Sequence, residues 1–431
     1  MLHELVVSPD LSARETDHST RYSHSLASPT MSTTPSTPRI AIIGGGMGGL
    51  VLLMTLLRRG IPATLYERDA DMNVRAHIGS TLDLGWESGR RALRENGLEE
   101  AYIANSRPEG QEVRISGKDG IPILHRTPKE SNDEKKARPE IDRSVLRKIM
   151  LDAVSADTIK WGHALTSAVP LGNGQHELTF ANGFKTVCDF LVGADGARSR
   201  VRPLVSSAIP VYVGVNSVEI SLAPEVAASP ELQDVAAAVG KGSMFAMQDS
   251  KMLGTQVSGS GRVRTYVYLR EPAEWTIPSN PTEVRKVLLE KFEGWAPWIH
   301  KLIEHCDDAA IYQRPLYMLP AGHKWEHVPG VTLIGDAAHL MTPFAAAGAN
   351  LAMQDALELG LALARLFADG KLGDRDALEA AVEEVEKAMC ARAGRIAEMS
   401  TVNLQACVHP DAPQSAIQRF MEVAKSGELD L

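Results

Sequence analysis

The chain has 431 residues, of which 44% are hydrophobic and 23% charged, an ordinary globular composition with room for two or three lobes. Its formal net charge of −9 argues against nucleic acid or an anionic membrane as the main partner. No apolar run is long enough to predict a membrane-spanning helix. The four cysteines form no C-x-x-C pair, indicate neither a disulfide framework nor a metal site, and fit a reducing, cytoplasmic compartment: Cys188, Cys306, Cys390 and Cys407.

The first 38 residues differ from the rest of the chain. They are rich in Ser, Thr, Pro and His and cannot pack a core, so we expect a disordered leader. They contain no apolar segment of the kind that directs secretion, and their acidic residues argue against an organellar transit peptide. The sequence leaves open whether the natural protein begins at Met1 or at Met31.

The first predicted element after the leader is a short buried strand, Ile40–Ile43, which runs into a glycine-rich loop and an apolar helix. The loop satisfies G-x-G-x-x-G at Gly44, Gly46 and Gly49. These glycines would allow a tight turn, close approach of a pyrophosphate, and tight helix–strand packing. The next predicted strand ends in Glu67, about 20 residues further on, where a carboxylate can bind ribose hydroxyls. This unit predicts a dinucleotide-binding site.

Several elements follow before the next glycine-rich loop. A polar link leads to the segment 75–84, which precedes a predicted helix at Glu87–Asn96. A second helix is predicted from Arg143 to Val154, because apolar residues recur there at helical spacing. The dipeptide Asn182-Gly183, flanked by strand-like segments, predicts a hairpin.

Two further strands also run into glycine-rich loops. Phe190–Val192 leads into Gly193–Ser199, and Val331–Ile334 leads into Gly335–His339. An apolar helix is predicted shortly afterwards, at Asn350–Phe367. The dinucleotide-binding lobe is therefore expected to be assembled from three separated pieces of the chain.

The stretch between 206 and 325 contains none of these glycine-rich loops. Alternating segments such as Arg262–Leu269 predict strands of a second, inserted lobe, with a helix at Glu283–Phe292. A long helix, Arg375 to about Gln405, closes the folded part.

Together the three loops resemble those of the class A flavin-dependent aromatic monooxygenases, the group with the para-hydroxybenzoate hydroxylase fold. The resemblance covers about residues 38–400 and rests on GGGMGG, on VGADGARSRVR (192–202) and on IGDAAHLMTPFAAAGAN (334–350). Within that group the chain is most similar to the tetracycline-inactivating flavin monooxygenases, through YERD at 66–69, GSTLDL at 79–84 and EIDRSVLR at 140–147.

The resemblance implies an α/β fold. An FAD-binding, Rossmann-like domain of the glutathione-reductase type would carry an inserted β-sheet substrate domain and a long C-terminal helix. The implied segments are 39–110, 140–205 and 326–372 for the FAD-binding domain, 111–139 and 206–325 for the substrate domain, 373–410 for the C-terminal helix, and 411–431 for a tail.

The resemblance also implies which residues hold the ADP half of FAD, in addition to Gly44, Gly46 and Gly49. Glu67 would bind the adenosine ribose, and Arg68 would lie on the adenine side. Arg143, at the start of its helix, would reach the pyrophosphate or the ribityl chain through a charge-assisted contact. Asp336, at a strand end, would bind the same region directly or through water.

The flavin half would be held by other segments. Asp83 belongs to the flavin-side loop, and Gly348-Ala349-Asn350 would place backbone N–H groups at the flavin N1/O2 edge, where negative charge develops on reduction. Asp195 and Arg198 match a fingerprint associated with both FAD and NAD(P)H, and Arg75 resembles a position implicated in nicotinamide contact. Asp195 and Asp336 could also act as helix N-caps, and Arg75 could be a solvated surface charge.

Other residues carry departures from the family or weaker expectations. Ala346 and Ala347 stand where the family loop usually has Gly and Gln, which can alter flavin mobility or substrate contact. His339 is expected to hydrogen-bond locally. The substrate pocket is expected between the flavin face and the inserted sheet, and tetracycline is not predicted as the substrate. The candidate lining residues are Phe245, Gln248, Gln256, Arg264, Tyr266, Pro343 and Phe344. Arg264 could orient a phenolate or be a solvated strand charge.

The implied reaction uses NAD(P)H to reduce FAD; O2 then adds at flavin C4a, and the hydroperoxide transfers one oxygen to an electron-rich small molecule, plausibly in secondary metabolism. The expected partners are that substrate and O2, with no nucleic acid; the oligomeric state is open, and a monomer is compatible.

Three alternatives to this function stay open. They are a flavin oxidase or dehydrogenase, a non-catalytic binder like the GDP-dissociation inhibitors, and a halogenase, for which Glu274–Pro278 offers only half of the W-x-W-x-I-P element.

Overall fold

The computed structural model describes residues 37–74, 79–128 and 135–426. The predicted leader lies almost entirely outside the described residues, and so does Arg75, whose nicotinamide contact stays a prediction.

The described residues form strands and helices in the following order. The strands are β1 Ile40–Ile43, β2 Ala63–Tyr66, β3 Thr81–Asp83, β4 Val113–Ser116, β5 Pro122–Arg126, β6 Glu140–Asp142, β7 Ile159–Lys160, β8 Leu165–Gly172, β9 Gln175–Phe180, β10 Lys185–Cys188, β11 Phe190–Gly193, β12 Val211–Leu222, β13 Ser243–Gln248, β14 Lys251–Val257, β15 Val263–Leu269, β16 Tyr312–Met318 and β17 Val331–Leu333. The helices are α1 Met47–Arg58, α2 Gly89–Glu95, α3 Glu99–Asn105, α4 Arg143–Asp152, α5 Pro224–Ala227, α6 Gln233–Val239, α7 Pro281–Lys291, α8 Pro297–Glu304, α9 Asp336–His339, α10 Gly348–Ala368, α11 Arg375–Cys407 and α12 Gln414–Ser426.

A parallel five-stranded sheet in the order β17-β11-β1-β2-β7 brings the three glycine-rich loops together. Because the carboxyl ends of parallel strands meet at one edge, the loops after β1, β11 and β17 are neighbours. The backbone N–H of Ala194 donates to the Ile43 carbonyl at 2.8 Å, and the N–H of Ile334 donates to the Gly193 carbonyl at 2.9 Å. The strands of this sheet therefore come from separated parts of the chain.

Helix α1 is apolar on nearly all sides because it lies between this sheet and α10. Two glycines allow the helices to approach closely. A Cβ at Gly48 would lie 2.9 Å from the Ala352 carbonyl oxygen, and a Cβ at Gly360 would lie 2.6 Å from the Thr55 methyl carbon. The start of α10 is therefore fixed beside the glycine-rich loop at the start of α1.

The inserted lobe is a seven-stranded sheet in the order β16-β12-β15-β14-β13-β4-β5, in which only β13 and β4 pair in parallel. Side chains alternate between its two faces. One face, with Val218, Val267 and Leu253, packs on α6, α7 and α8. The opposite face, with Tyr268 and Met252, packs on the end of α11 and on α12. Each face thus has its own apolar core.

The C-terminal region differs from the sequence-based expectation in one respect. The long helix predicted from Arg375 to about Gln405 is confirmed as α11, but residues 411–431, predicted as a tail, include α12. Ala416 and Val423 of α12 are buried, so this helix forms part of the folded unit. Among the described residues, no helix is both long and apolar enough to cross a membrane.

Candidate active site

The loop after β1 has the backbone geometry that its glycines allow. Gly44 has a φ of +106°, and a Cβ there would lie 2.4 Å from the Ala194 carbonyl oxygen. A Cβ at Gly49 would lie 1.9 Å from the Gly44 carbonyl oxygen, whereas a Cβ at Gly46 would meet no atom within 4 Å. The protein's own packing therefore requires Gly44 and Gly49. Gly46 instead leaves room beside the N-terminus of α1, where N–H groups favour a phosphate.

Glu67 follows β2 and braces this loop. Its carboxylate accepts the N–H groups of Gly45 and Asp69, and only 3% of the residue is exposed. Arg68, beside it, is exposed. Arg147 also supports the loop, because its Nε donates to the Gly45 carbonyl at 3.3 Å. Arg147 was not predicted as a site residue, although it belongs to the EIDRSVLR segment.

Asp336 and Arg143 line a cleft inside the protein. Burial raises the pKa of the Asp336 carboxyl, while the charges of His339, Arg143 and Arg202 lower it. Asp336 is nonetheless accessible to solvent. A carboxyl that is surrounded by protein atoms and yet accessible borders a cleft and is not part of the packed core. Burial lowers the pKa of Arg143, and the Asp336 charge opposes that change. The structure thus brings together two predicted residues from segments nearly 200 positions apart.

Arg202 ties the second glycine-rich loop to the third. Its Nε donates to the Ala337 carbonyl at 2.7 Å, and its Nη2 donates to the carbonyls of Asp336 and Ala197, each at 3.0 Å. Arg202 is 4% exposed. It lies in the VGADGARSRVR segment but was not predicted as a site residue, because two of its acceptors, the carbonyls of Asp336 and Ala337, lie more than 130 positions away.

Asp195 presents an acceptor that the protein does not use. Its Oδ2 accepts the Arg200 N–H at 2.6 Å, but its buried Oδ1 has no hydrogen-bond partner among the described residues. Burial raises the pKa of this carboxyl. A buried acceptor without a donor fits a ligand that supplies a hydroxyl or an N–H group. Arg198, predicted with it, is exposed.

Asn350 uses its side chain within the protein. Its Oδ1 accepts the Gly85 N–H at 2.9 Å, the Ser88 hydroxyl at 3.1 Å and the Gly89 N–H at 3.2 Å, while its Nδ2 donates to the Asp83 carbonyl at 2.8 Å. The side chain therefore fixes the segment 83–89 against the start of α10. Only the backbone of Asn350 stays a candidate for the predicted flavin contact.

The backbone at the start of α10 is accessible. Gly348 and Ala349 are half-buried, and a Cβ at Gly348 would meet no atom within 4 Å. The first N–H groups of this 21-residue helix have no intrahelical acceptor and favour negative charge. Asp83 lies nearby at the end of β3, where burial raises the pKa of its carboxyl and Arg138, 3.3 Å away, lowers it.

His339 belongs to a buried charge network behind Asp336. Its Nε2 lies 2.5 Å from Asp355 Oδ2, which also accepts the Gly335 N–H at 3.1 Å, and Arg392 Nη2 donates to Asp355 Oδ1 at 2.9 Å. Burial opposes protonation of His339, but the charge and hydrogen bond of Asp355 raise its pKa above the ordinary value. The expectation of a locally bonded histidine is confirmed, and Asp355 and Arg392 are positioning residues that sequence reasoning missed.

Most predicted substrate residues share one face of the seven-stranded sheet. Arg264 pairs with Gln256 across β15 and β14, while Tyr266 pairs with Gly254, which in turn pairs with Phe245. These side chains point to the face that packs on α11 and α12.

Gln248 is separated from this set. Its side chain points to the same side of β13 as those of Met244 and Ala246, which lie on the other face of the sheet. Its Oε1 accepts the Lys118 N–H at 3.2 Å. The expectation that Gln248 lines the same pocket is corrected, because side chains alternate along β13.

The same face extends to the loop before α10 and to the cleft around Asp336 and Arg143. Phe344 contacts Tyr268, with ring centroids 5.0 Å apart, and Pro343 is exposed beside it. Burial and the Glu219 charge raise the pKa of Tyr266, while Ser80, Arg264 and Arg143 lower it. Tyr266 is therefore close enough to sense Arg143, which connects the sheet face with the cleft around Asp336.

Comparisons with known proteins agree with this architecture. The model of a family described as "FAD binding domain" matches residues 37–393. "Monooxygenase penA" of Penicillium thymicola is 30% identical over 418 residues, which cover 85% of this chain and 94% of that protein. Klebsiella pneumoniae HpxO complexed with FAD and uric acid superposes with a TM-score of 0.72 at 22% identity, covering 90% and 93% of the two chains. Tetracycline destructase Tet(51) superposes with a TM-score of 0.65 at 18% identity, covering 91% and 96%.

The chain belongs to this FAD-binding family. The predicted fold class and the predicted resemblance to class A flavin monooxygenases are confirmed, and so is the prediction of an FAD-dependent monooxygenase. The residues present fit the cofactor. The accessible N-termini of α1 and α10, the space beside Gly46 and the unsatisfied Asp195 Oδ1 offer what phosphates, a flavin edge and ribityl hydroxyls require.

Proposed function

We propose that this protein uses FAD and a nicotinamide dinucleotide to insert one atom of O2 into an electron-rich aromatic ring or alkene of a small molecule in secondary metabolism. The nicotinamide supplies two electrons, one oxygen atom enters the substrate, and the other leaves as water. Bound FAD supplies electron transfer and O2 activation. The observation that carries the proposal is that three glycine-rich loops meet at one cleft. This cleft lies beside the face of the inserted sheet that carries Tyr266 and Tyr268.

The residues of the first loop and its neighbours would bind the ADP half of the cofactor. The N-terminus of α1, open at Gly46, would hold the pyrophosphate, and Arg143 would add a charge-assisted contact. Glu67 would accept a ribose hydroxyl while it holds the loop in place, and Arg68 would lie on the adenine side. The glycine-rich loop and Glu67 follow β1 and β2 at the carboxyl edge of the five-stranded sheet, where ligands of such folds bind.

The other loops would orient the reacting half. Asp336 and Asp195 would accept hydrogen bonds from ribityl hydroxyls, and Arg202 would keep the two loops that carry them in register. The N-terminus of α10 would stabilise negative charge at the flavin N1/O2 edge. The substrate would then lie between that edge and Tyr266.

The test is turnover by the purified, FAD-loaded protein. NADH and NADPH oxidation and O2 uptake would be measured with aromatic polyketides, phenols and terpenoids, and the products would be weighed by mass spectrometry. We expect at least one compound to gain a single oxygen atom, with one nicotinamide oxidised per product. Flavin reduction with no oxygen gained by any compound would support an oxidase or dehydrogenase instead. A protein that takes up no FAD would support a non-catalytic binder.

A further inference from the structure

We call the sheet face with Phe245, Gln256, Arg264 and Tyr266 the substrate face. The charge of its buried cation, Arg264, is already neutralised. Arg264 Nη1 lies 3.1 Å from Glu219 Oε1, and the two side chains are only 10% and 5% exposed. The other carboxylate oxygen, Glu219 Oε2, accepts Arg314 Nε at 2.7 Å, but the Arg314 side chain is 48% exposed and its charge is screened by solvent. The charge of Arg264 is therefore already paired with a buried carboxylate.

Arg314 contacts this pair from the half-exposed side and Arg143 acts on Tyr266 from the cleft, but the side chains beside the pair on strands β13 to β15 are neutral. Burial raises the pKa of both Tyr266 and Tyr268, so the two phenols stay protonated at neutral pH. Gln256 pairs with Arg264 across the sheet, and Phe245 lies over Gly254, where a Cβ would be 3.1 Å from its ring. In the part of the chain that the structure describes, this region offers rings and neutral hydrogen-bonding groups.

An anionic substrate would meet two penalties here. It would lose its hydration without gaining an unpaired cation, and it would lie near the Glu219 carboxylate. Displacing Glu219 from Arg264 would leave a buried carboxylate with only a half-exposed arginine as its partner. A neutral ring system with an amide, hydroxyl or carbonyl group meets neither penalty.

We propose that the substrate is a neutral, largely apolar aromatic molecule, and that Glu219 determines this specificity by neutralising Arg264. This rests on the proposed function, because it assigns the substrate class of the same site. Specificity of this kind comes from a repulsive element as well as from attraction.

The experiment compares matched neutral and anionic probes on the FAD-loaded protein. 2-Naphthamide and 2-naphthoate, and the corresponding anthracene amide and carboxylate, would be titrated at pH 7.5, with binding followed by the flavin absorbance spectrum. Wild type should bind each amide at least about tenfold more tightly than its carboxylate. Glu219→Gln should bind the carboxylates about tenfold more tightly than wild type and the amides within about twofold.

Two further variants keep the test decisive. The double variant Glu219→Gln with Arg264→Gln should lose the carboxylate affinity that Glu219→Gln gains. If Glu219→Gln alone does not fold, the double variant takes its place, because it removes both charges of the pair. Glu112→Gln is the matched control, because Glu112 pairs at 2.7 Å with Arg114, on the opposite face of the sheet, and should leave the ratio unchanged.

Three results would overturn the inference: carboxylates that bind wild type as well as the amides, a Glu219→Gln ratio equal to that of wild type, or no binding of any probe up to its solubility limit. Each of these leaves the proposed function standing if FAD is bound and NAD(P)H is consumed. Failure to take up FAD would instead overturn the proposed function itself.

Discussion

Ala346 has a φ of +51°, in the left-handed region, within the loop that precedes α10. A residue with a Cβ is strained there, and the family usually has glycine at this position. We predict that Ala346→Gly raises the free energy of unfolding by about 1 kcal/mol, after allowing for the greater freedom of glycine in the unfolded chain. Thermal unfolding would measure it. The control is Ala347→Gly, where φ is −108° and the residue is buried, and which should lower stability. A loss of stability in Ala346→Gly would contradict the account.

Glu140 gives the protein a predictable dependence on pH. Burial, with Asp83 and Asp142 nearby, raises the pKa of its carboxyl from 4.5 to about 7, although Thr81 and Arg107 oppose the shift. The folded state therefore keeps a proton that the unfolded state releases. The resulting stabilisation is complete below pH 4.5 and is lost as the pH rises through about 7.

Glu140→Gln should remove this dependence because the amide stays neutral. Between pH 5 and pH 8 the variant should gain stability relative to wild type, on the order of 2 kcal/mol. Urea unfolding at the two pH values would measure the difference. Glu225→Gln, at an exposed position, is the control, and its stability should differ from that of wild type by the same amount at pH 5 and at pH 8. If Glu140→Gln also differed from wild type by the same amount at both pH values, the raised pKa of Glu140 would be refuted.

At the scale of elements, Arg202 holds two glycine-rich loops together through the backbone carbonyls of both. Arg202→Met would leave those acceptors unsatisfied. We predict a loss of about 3 kcal/mol in unfolding free energy and at least a tenfold weaker Kd for FAD. Arg200→Met is the control on the same loop, because its side chain is exposed and only its backbone N–H bonds to Asp195. The account fails if the two variants bind FAD equally well.

Local sequence signals predicted some elements and missed others for physical reasons. The strands β1, β2, β11 and β17 were predictable because each is a short apolar run followed by glycine or by a polar residue at a strand end. Strand β12 was not singled out because its polar/apolar alternation is regular only from Val218 to Leu222, and a bulge interrupts its register between Tyr212 and Asn216. Helix α12 was assigned to the tail although its apolar residues recur at helical spacing, and contact with the sheet buries that apolar side.

At the scale of the whole molecule, the sequence predicted which loops meet but not what braces them. Asp336 and Arg143 could be found from motifs, whereas Arg147, Arg202 and Asp355 act through atoms of distant segments and leave no local pattern. The charge of the substrate face was equally inaccessible. Arg264 was predicted as a candidate, but its partner Glu219 lies 45 positions earlier and becomes a neighbour only in the sheet.

The central claim is that three segments form one FAD site, and titration of the protein with FAD tests it most directly. We predict one equivalent of FAD per chain, with binding at least tenfold weaker in Arg143→Met and in Asp336→Asn than in wild type or Arg200→Met. Flavin fluorescence would report the bound fraction. No FAD uptake by the wild type, or undiminished affinity in both variants, would contradict the claim.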